Sequence, residues 1–134
     1  MESKVDIESI IFKLNVAMDF NWLYKDPELD LTKLAAHLGV SYSVLSKVIK
    51  SYYGLGFRAY INQLRIDKLL EIISSFNTIL SIEQSMKISG FKSRVTFFNA
   101  FKSRTGMSFT IYWKANNLPK KNELPIFYAV DDQT

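Results

Sequence analysis

Apolar side chains recur every three to four residues along most of the chain, and glycines separate the segments that show this spacing. This period is typical of α-helices that bury one face. The predicted helices run from Val5 to about Lys25, Leu31 to Leu38, Tyr42 to about Tyr53, Phe57 to Ser74, the Ser81 cap to Gly90, the Ser93 cap to about Arg104, and through Tyr112 to about Asn116. The predicted fold class is therefore all-α.

The stretch from Ser81 to Phe109 predicts two short helices joined by a tight turn. Ser81 and Gln84 have the spacing of a capping box. Gly90 supplies the backbone freedom of a sharp turn, and Ser93 is placed to cap the second helix. Two helices joined in this way are typical of a helix-turn-helix unit, whose second helix enters a DNA major groove.

The helix-turn-helix pattern occurs twice in the chain. The segment GVSYSVLSKVIKSYYGLGFRAYI, which begins at Gly39, aligns with GFKSRVTFFNAFKSRTGMSFTIYW, which begins at Gly90. The offset of 51 residues at these two glycines becomes 52 at Lys50 and Lys102, because the second turn has one extra residue. A match over this many positions indicates a duplication, and the sequence therefore predicts two recognition helices.

Each predicted recognition helix has an inward and an outward side at about 100° per residue. In the first helix, the residues predicted to face inward are Leu45, Val48, Ile49 and Tyr52, and those predicted to face outward are Ser43, Lys47 and Lys50, with Ser46 on the flank. In the second helix, Phe97, Ala100, Phe101 and Arg104 are predicted to face inward, and Val95, Asn99 and Lys102 outward. The outward side of the second helix offers an amide, a small apolar group and a cation, which are types that meet base edges and phosphates.

The predicted helix from Phe57 to Ser74 has apolar residues on two nearly opposite sides. One side holds Phe57, Tyr60, Ile61 and Leu64, and the other holds Ile66, Leu69, Leu70 and Ile73. A helix that packs on a single core keeps one apolar stripe, so this helix is predicted to join two lobes. Its cations Arg65 and Lys68 are predicted either to reach a phosphate or to be solvated charges.

The chain is predicted to divide into five segments. These are an N-terminal helix and connector at 1–29, a first helix-turn-helix unit at 30–56, a linker helix at 57–75, a second helix-turn-helix unit at 76–116, and a polar C-terminal tail at 117–134. Asp26-Pro27 is expected to end the N-terminal helix. This helix either packs on the first lobe or is the stalk of an upstream sensor or dimerising part, and the aromatic residues crowded at its end favour packing.

Charge is distributed unevenly along the 134 residues. The net charge of +4 is composed of −4 in residues 1–30, +9 in residues 31–116 and −1 in residues 117–134. A basic middle that coincides with the duplicated region is the electrostatic pattern of polyanion binding. On charge alone, the alternative is a generic basic and solvated surface.

The residue inventory argues against catalysis, cofactors and membrane spans. There is no cysteine, and the single histidine, His37, is expected to be solvated or half-buried. Without a Gly-rich phosphate loop or paired carboxylates on one face, no enzyme activity, cofactor or bound metal is predicted. Because no run of about 18 apolar residues occurs, the chain is predicted to make no membrane contact and to be cytoplasmic, whereas a longer parent protein could be membrane-tethered.

A family resemblance adds to these predictions. The segment LTKLAAHLGVSYSVLSKVIKSYYGLGFRAYINQLRIDKLL, followed by GFKSRVTFFNAFKSRTGMSFTIYW, resembles the DNA-binding domain of AraC/XylS-type bacterial transcription regulators over about residues 30 to 114. The resemblance implies a homeodomain-like fold in which two helix-turn-helix units, joined by a long helix, enter successive major-groove segments about 34 Å apart.

The resemblance also implies which residues contact DNA. The implied base-reading residues are Tyr42, Ser43, Ser46 and Lys47 in the first unit, and Arg94, Val95, Phe98 and Asn99 in the second. The predicted phosphate contacts are Ser41, Lys50, Lys92, Ser93 and Lys102. For Phe98, packing against the linker helix is an equally weighted alternative.

The predicted function is sequence-specific binding of double-stranded DNA by a transcription regulator, or by the DNA-binding output domain of a larger sensor-regulator. RNA polymerase and an upstream sensor or dimerisation domain are candidate further partners. The alternative is a protein interaction module on the same helix-turn-helix scaffold, with weak or lost DNA binding. In that alternative, Val95, Phe98 and the N-terminal aromatic residues form the partner surface.

Overall fold

The computed structural model describes residues 4–76 and 80–117 of the chain. Within that part, the α-helices are α1 (Lys4–Asp19), α2 (Leu31–Leu38), α3 (Tyr42–Tyr53), α4 (Phe57–Phe76), α5 (Ile82–Ser89), α6 (Arg94–Thr105) and α7 (Phe109–Asn117), and a short 3₁₀ helix, here called the connector, spans Leu23–Lys25. No strand occurs among these residues, and the all-α prediction is confirmed. The predicted C-terminal tail, apart from its first residue, lies outside the described residues.

The helices begin at the predicted capping residues. Asp30 accepts a hydrogen bond from the backbone N–H of Lys33 at 2.8 Å, where α2 begins. Ser81 and Gln84 form the predicted capping box at the start of α5, with both reciprocal hydrogen bonds present. These side chains satisfy backbone N–H groups that have no partner inside the helix.

The first core lies between α1, α2, α3 and the beginning of α4. Leu14 of α1, Leu34 of α2 and Ile49 of α3 are completely buried there. The residues that α1 contributes are Ile10, Ile11, Leu14, Ala17 and Met18. The N-terminal helix therefore packs on the first lobe, which is the arrangement that the sequence favoured.

The second core lies between α5, α6, α7 and the second half of α4. Phe97 and Phe101 of α6 are completely buried, and their ring centroids lie 5.1 Å and 5.2 Å from the Phe109 ring of α7. Both ring pairs meet edge to face, an arrangement that aromatic side chains prefer over direct stacking. This aromatic packing determines which side of α6 faces inward.

The linker helix α4 buries its two apolar sides in different cores. Tyr60 and Ile61 belong to the first core, whereas Ile66, Leu69 and Ile73 belong to the second. The predicted two-sided packing is therefore confirmed. The helix continues to Phe76 and not only to Ser74, and residues 77–79 lie outside the described residues.

The N-terminal helix is shorter than predicted, because α1 ends at Asp19 and not near Lys25. After α1 the backbone turns through Trp22, which has a left-handed conformation with φ 55°. The turn brings Tyr24 into the first core, where it is 3% exposed, and leaves Phe20 in solvent at 75% exposed. The run of apolar residues predicted one continuous helix, whereas the chain turns after Asp19 and buries Tyr24.

Tyr52 is a second departure from the predicted pattern, since its side chain is 61% exposed and does not face inward. The neighbouring Tyr53 is half-buried instead, and its ring lies 4.7 Å from the Tyr60 ring of α4. The last turn of α3 therefore packs on α4 through Tyr53. A fixed angle per residue cannot show which neighbour a last helical turn will meet.

Candidate nucleic-acid interface

The helix α3 exposes the side that the sequence predicted to read bases. Its exposed residues include Tyr42, Ser43, Ser46, Lys47 and Lys50. The opposite side holds Leu45, Val48 and Ile49, none of which is more than 4% exposed. Because this apolar side is fixed in the first core, the polar side of α3 is held toward solvent.

The helix α6 has the same division. Arg94, Val95, Asn99 and Lys102 are exposed, while the opposite side is fixed by the buried rings of the second core. Val95 is 69% exposed at the start of the helix. An amide, an apolar group and two cations are thus presented together on one helix.

Phe98 differs from the other predicted base-reading residues because its side chain is half-buried. Its ring centroid lies 5.7 Å from that of Phe97 and 6.4 Å from that of Phe109. The contacts of Phe98 therefore correspond to the packing alternative, with an aromatic neighbour on α7 where the sequence suggested the linker helix. A role at a base edge stays a prediction for this residue.

Ser41 and Ser93 are the N-caps of the two recognition helices. Oγ of Ser41 accepts a hydrogen bond from the backbone N–H of Val44 at 3.1 Å, and Oγ of Ser93 accepts one from Thr96 at 3.3 Å. A serine hydroxyl that accepts a hydrogen bond still has its own O–H to donate. Both serines can therefore cap a helix and donate to a phosphate oxygen simultaneously.

Two of the predicted DNA-contacting cations are paired with carboxylates in this structure. Arg94 pairs with Glu83 in the first turn of α5, and Nζ of Lys92 lies 2.9 Å from a carboxylate oxygen of Glu28. Both pairs are largely solvent-exposed, and pairs of this kind contribute no more than about 1 kcal/mol. A phosphate or a base edge can therefore replace the carboxylate at little cost.

Lys47, Lys50 and Lys102 make no ion pair within residues 4–76 and 80–117. Neither α3 nor α6 contains an Asp or Glu residue. The exposed sides of the two recognition helices consequently carry positive charge that no nearby carboxylate on the same helix offsets. Such a surface attracts the phosphate backbone of nucleic acid.

Arg104 holds α6 against the linker helix. Its Nε and Nη2 donate to the two carboxylate oxygens of Asp67 at 2.8 Å and 2.9 Å, and its Nη1 donates to Gln63 at 3.4 Å. The hydrogen bonds with Asp67 and the charge of its carboxylate raise the pKa of Arg104. The bidentate geometry orients α6 as well as stabilising the contact.

Arg65 joins the connector to α4, a role that the sequence reasoning did not find. Its side chain is buried, and its Nε and Nη2 donate to the carbonyls of Tyr24 and Asp26, both at 2.9 Å. Burial, partly opposed by the charge of Asp26, lowers the pKa of Arg65. Neither role predicted for Arg65, phosphate contact or solvated charge, is correct. In the sequence, the feature that could have indicated its burial was its position beside Ile66, between the two apolar sides of one helix.

Lys68 joins α4 to the end of α1. Its Nζ lies 2.6 Å from a carboxylate oxygen of Asp19, and its side chain is 18% exposed. Burial lowers the pKa of Lys68, but the hydrogen bond and charge of Asp19 outweigh that effect, and the pKa is raised. Lys68 is therefore neither the phosphate contact nor the solvated charge that the sequence suggested.

Across the described part of the chain, no three His, Cys, Asp or Glu side chains lie close enough together to hold a metal ion. Within the same residues, no helix is both long and apolar enough to cross a membrane. His37 is exposed, as predicted.

Sequence comparison matches a family model described as a helix-turn-helix domain to residues 34–115. HTH-type transcriptional regulators from Staphylococcus aureus are 32% identical to the chain over 94 residues, which is 69% of this chain and 12% of each relative. The chain thus spans about an eighth of the length of the curated relatives it matches.

Two solved structures share the arrangement of helices. The C-terminal domain of AraT, a response regulator from Geobacillus stearothermophilus, is 25% identical, with a TM-score of 0.62 over 84% of this chain and 86% of that domain. The C-terminal domain of the two-component response regulator yesN from Fusobacterium nucleatum has the same fold at 23% identity, with a TM-score of 0.63 over 79% of this chain and 98% of that domain. With the family model matching both helix-turn-helix units and the helix between them, the chain belongs to the AraC-type helix-turn-helix domain family.

Proposed function

We propose that this chain binds double-stranded DNA in a sequence-specific way and regulates transcription, either alone or as the output domain of a larger regulator. One observation carries the proposal. Both helix-turn-helix units bury one side of their second helix in a separate core and expose a side that contains cations and no carboxylate. The linker helix is common to both cores, so the two exposed sides are held by one rigid element.

The base-reading roles follow from the chemistry of the exposed side chains. Lys47 of α3 and Arg94 of α6 suit the acceptor atoms of guanine, and Asn99 suits the donor and acceptor of adenine. Val95 offers an apolar contact to a thymine methyl group. Tyr42, Ser43 and Ser46 complete the reading surface of α3.

The phosphate contacts surround these base contacts. Lys50, Lys92 and Lys102 supply positive charge, and Ser41 and Ser93 supply hydroxyl donors at the starts of α3 and α6. The backbone N–H groups at a helix start favour anions as well. Contacts of this kind set the register of the protein on DNA without reading its sequence.

A larger regulator is part of the proposal because the curated relatives are much longer than this chain. An upstream sensor or dimerisation domain would then control when the two recognition helices meet DNA. RNA polymerase is the further partner that a transcription activator would contact. Both partners are proposed from the family relationship and from the greater length of the relatives.

The experiment compares three single substitutions on a duplex that the wild-type protein selects from a random-sequence library. Asn99→Ala and Lys47→Ala should each cost about 1 to 3 kcal/mol on the selected duplex and relax the preference at one base position. Lys102→Ala should weaken binding to all duplexes similarly and reduce the salt dependence. The control is Lys114→Ala, which removes an exposed cation from α7.

Equal losses for all three variants on selected and random duplexes would refute base reading. The absence of any salt-sensitive binding to duplex DNA, measured at two salt concentrations, would refute the proposed DNA binding. The second outcome would favour the protein interaction module. The exposed Val95 at the start of α6 would then be part of its surface.

A further inference from the structure

A polar groove runs between the beginning of the linker helix α4 and the recognition helix α6. It has a volume of about 380 Å³. Its walls are Arg58, Ala59, Asn62 and Gln63 of α4, and Thr96, Asn99, Ala100 and Ser103 of α6. One cation, three amides and two hydroxyls line the groove, and none of the lining side chains is a carboxylate. The groove therefore suits an anion with several oxygen acceptors.

The position of the groove relates it to both recognition helices. On one wall, Asn99 also belongs to the exposed side of α6 that is proposed to read bases. The other wall begins at Arg58, only five residues after α3 ends at Tyr53. When two recognition helices enter successive major-groove segments, the minor groove lies between those segments, with a sugar-phosphate backbone on each side of it. A backbone that borders the major-groove segment entered by α6 can reach this groove, because the groove is lined by α6 and by the helix that joins the two units.

Arg58 supplies the positive charge of the groove. Its side chain is exposed, and it forms no ion pair with any carboxylate of the described residues. In contrast, the carboxylate of Asp67, farther along the same helix, is neutralised by Arg104. A phosphate at Arg58 would therefore meet an unpaired guanidinium, which can bind two phosphate oxygens at once.

We propose that this groove binds the DNA backbone between the two major-groove segments, with Arg58 as the principal phosphate contact. Asn62 donates its amide to the same phosphate or its neighbour, and the hydroxyls of Thr96 and Ser103 donate from the α6 wall. The linker helix is then a third point of contact with DNA, in addition to holding the recognition helices. This inference rests on the proposed function, since it assigns a further contact within the same complex.

The test uses Arg58→Gln with Lys114→Ala as the matched control. Both substitutions remove one exposed cation, and neither affects a core residue. On the duplex selected by the wild-type protein, Arg58→Gln should reduce the slope of log affinity against log salt by about 1. Phosphate ethylation interference should disappear at a backbone position between the two protected major-groove segments and persist within each of them. Lys114→Ala should leave both measurements at their wild-type values.

The outcomes separate this inference from the proposed function. If the wild-type protein shows no salt-dependent binding to any duplex, the proposed function and the groove contact both fail. If the wild-type protein binds and Arg58→Gln matches Lys114→Ala in slope and interference pattern, the groove contact alone fails. Loss of interference inside a major-groove segment would also refute it, because Arg58 would then act next to a recognition helix and not between the two.

Discussion

Gly90, in the turn of the second helix-turn-helix unit, is expected to be far less tolerant of substitution than the equivalent Gly39. Gly39 follows α2 and Gly90 follows α5, and both have a positive φ, +72° at Gly39 and +90° at Gly90. Their surroundings differ. A Cβ at Gly90 would lie 2.2 Å from the carbonyl oxygen of Tyr24 and 2.9 Å from Cα of Lys25, whereas a Cβ at Gly39 would meet nothing within 4 Å.

The two substitutions share one cost and differ in another. Placing an alanine in the left-handed region costs roughly 1 to 2 kcal/mol at either position. At Gly90 the new methyl group also collides with backbone atoms, and displacing a packed segment costs roughly 1 to 3 kcal/mol more. Gly39→Ala should therefore lower the free energy of unfolding by about 1.5 kcal/mol, and Gly90→Ala by about 3.5 kcal/mol.

Urea unfolding followed by circular dichroism measures this difference. With a slope of about 1 to 3 kcal/mol per molar urea, a gap of about 2 kcal/mol separates the two midpoints by roughly 1 M. Gly106→Ala is a second control, since Gly106 has φ +79° and open space around it. Equal midpoints for the Gly90 and Gly39 variants would mean that the connector does not pack against the turn in solution.

Two further predictions concern single side chains. Arg65→Met should lower the free energy of unfolding by about 3 kcal/mol, because two carbonyls lose a charged donor. This loss corresponds to roughly 10 °C in the melting temperature. A melting curve that matches Lys68→Met, which removes only the ion pair with Asp19, would contradict this role of Arg65. Glu83→Gln should strengthen DNA binding by up to about fivefold in a gel shift, because it releases Arg94 from an exposed ion pair. Weaker binding by that variant would show that Glu83 positions Arg94 for DNA.

The sequence was sufficient wherever a local rule decides the structure. Ser81 and Gln84 satisfy backbone groups within the same helical turn, so their spacing alone placed the start of α5. The two apolar sides of α4 follow from residue spacing, and they identified the helix that both cores have in common. The outward positions of α3 and α6 were likewise read from periodicity, whereas Tyr52 and Arg104, both predicted to face inward, are exposed.

The sequence was insufficient wherever the structure depends on contacts between residues that lie far apart in the chain. The end of α1 depends on Tyr24 reaching the first core, and the burial of Arg65 depends on two carbonyls that lie far from it along the chain. The local pattern of Phe98 fits base reading and packing equally, and the proximity of its ring to Phe109 depends on how α6 and α7 pack together. In each case the local pattern allows two environments, and only a long-range contact selects one.

The turns of the two helix-turn-helix units also show what the sequence determines and what only tertiary packing determines. Gly39 and Gly90 align with each other, and the sequence by itself determined that both turns need a residue that tolerates a positive φ. Only the tertiary structure decided that the backbone of the connector lies against Gly90 and that open space surrounds Gly39. The physical reason is that backbone conformation depends on neighbouring residues in the chain, whereas close approach depends on how separate segments pack.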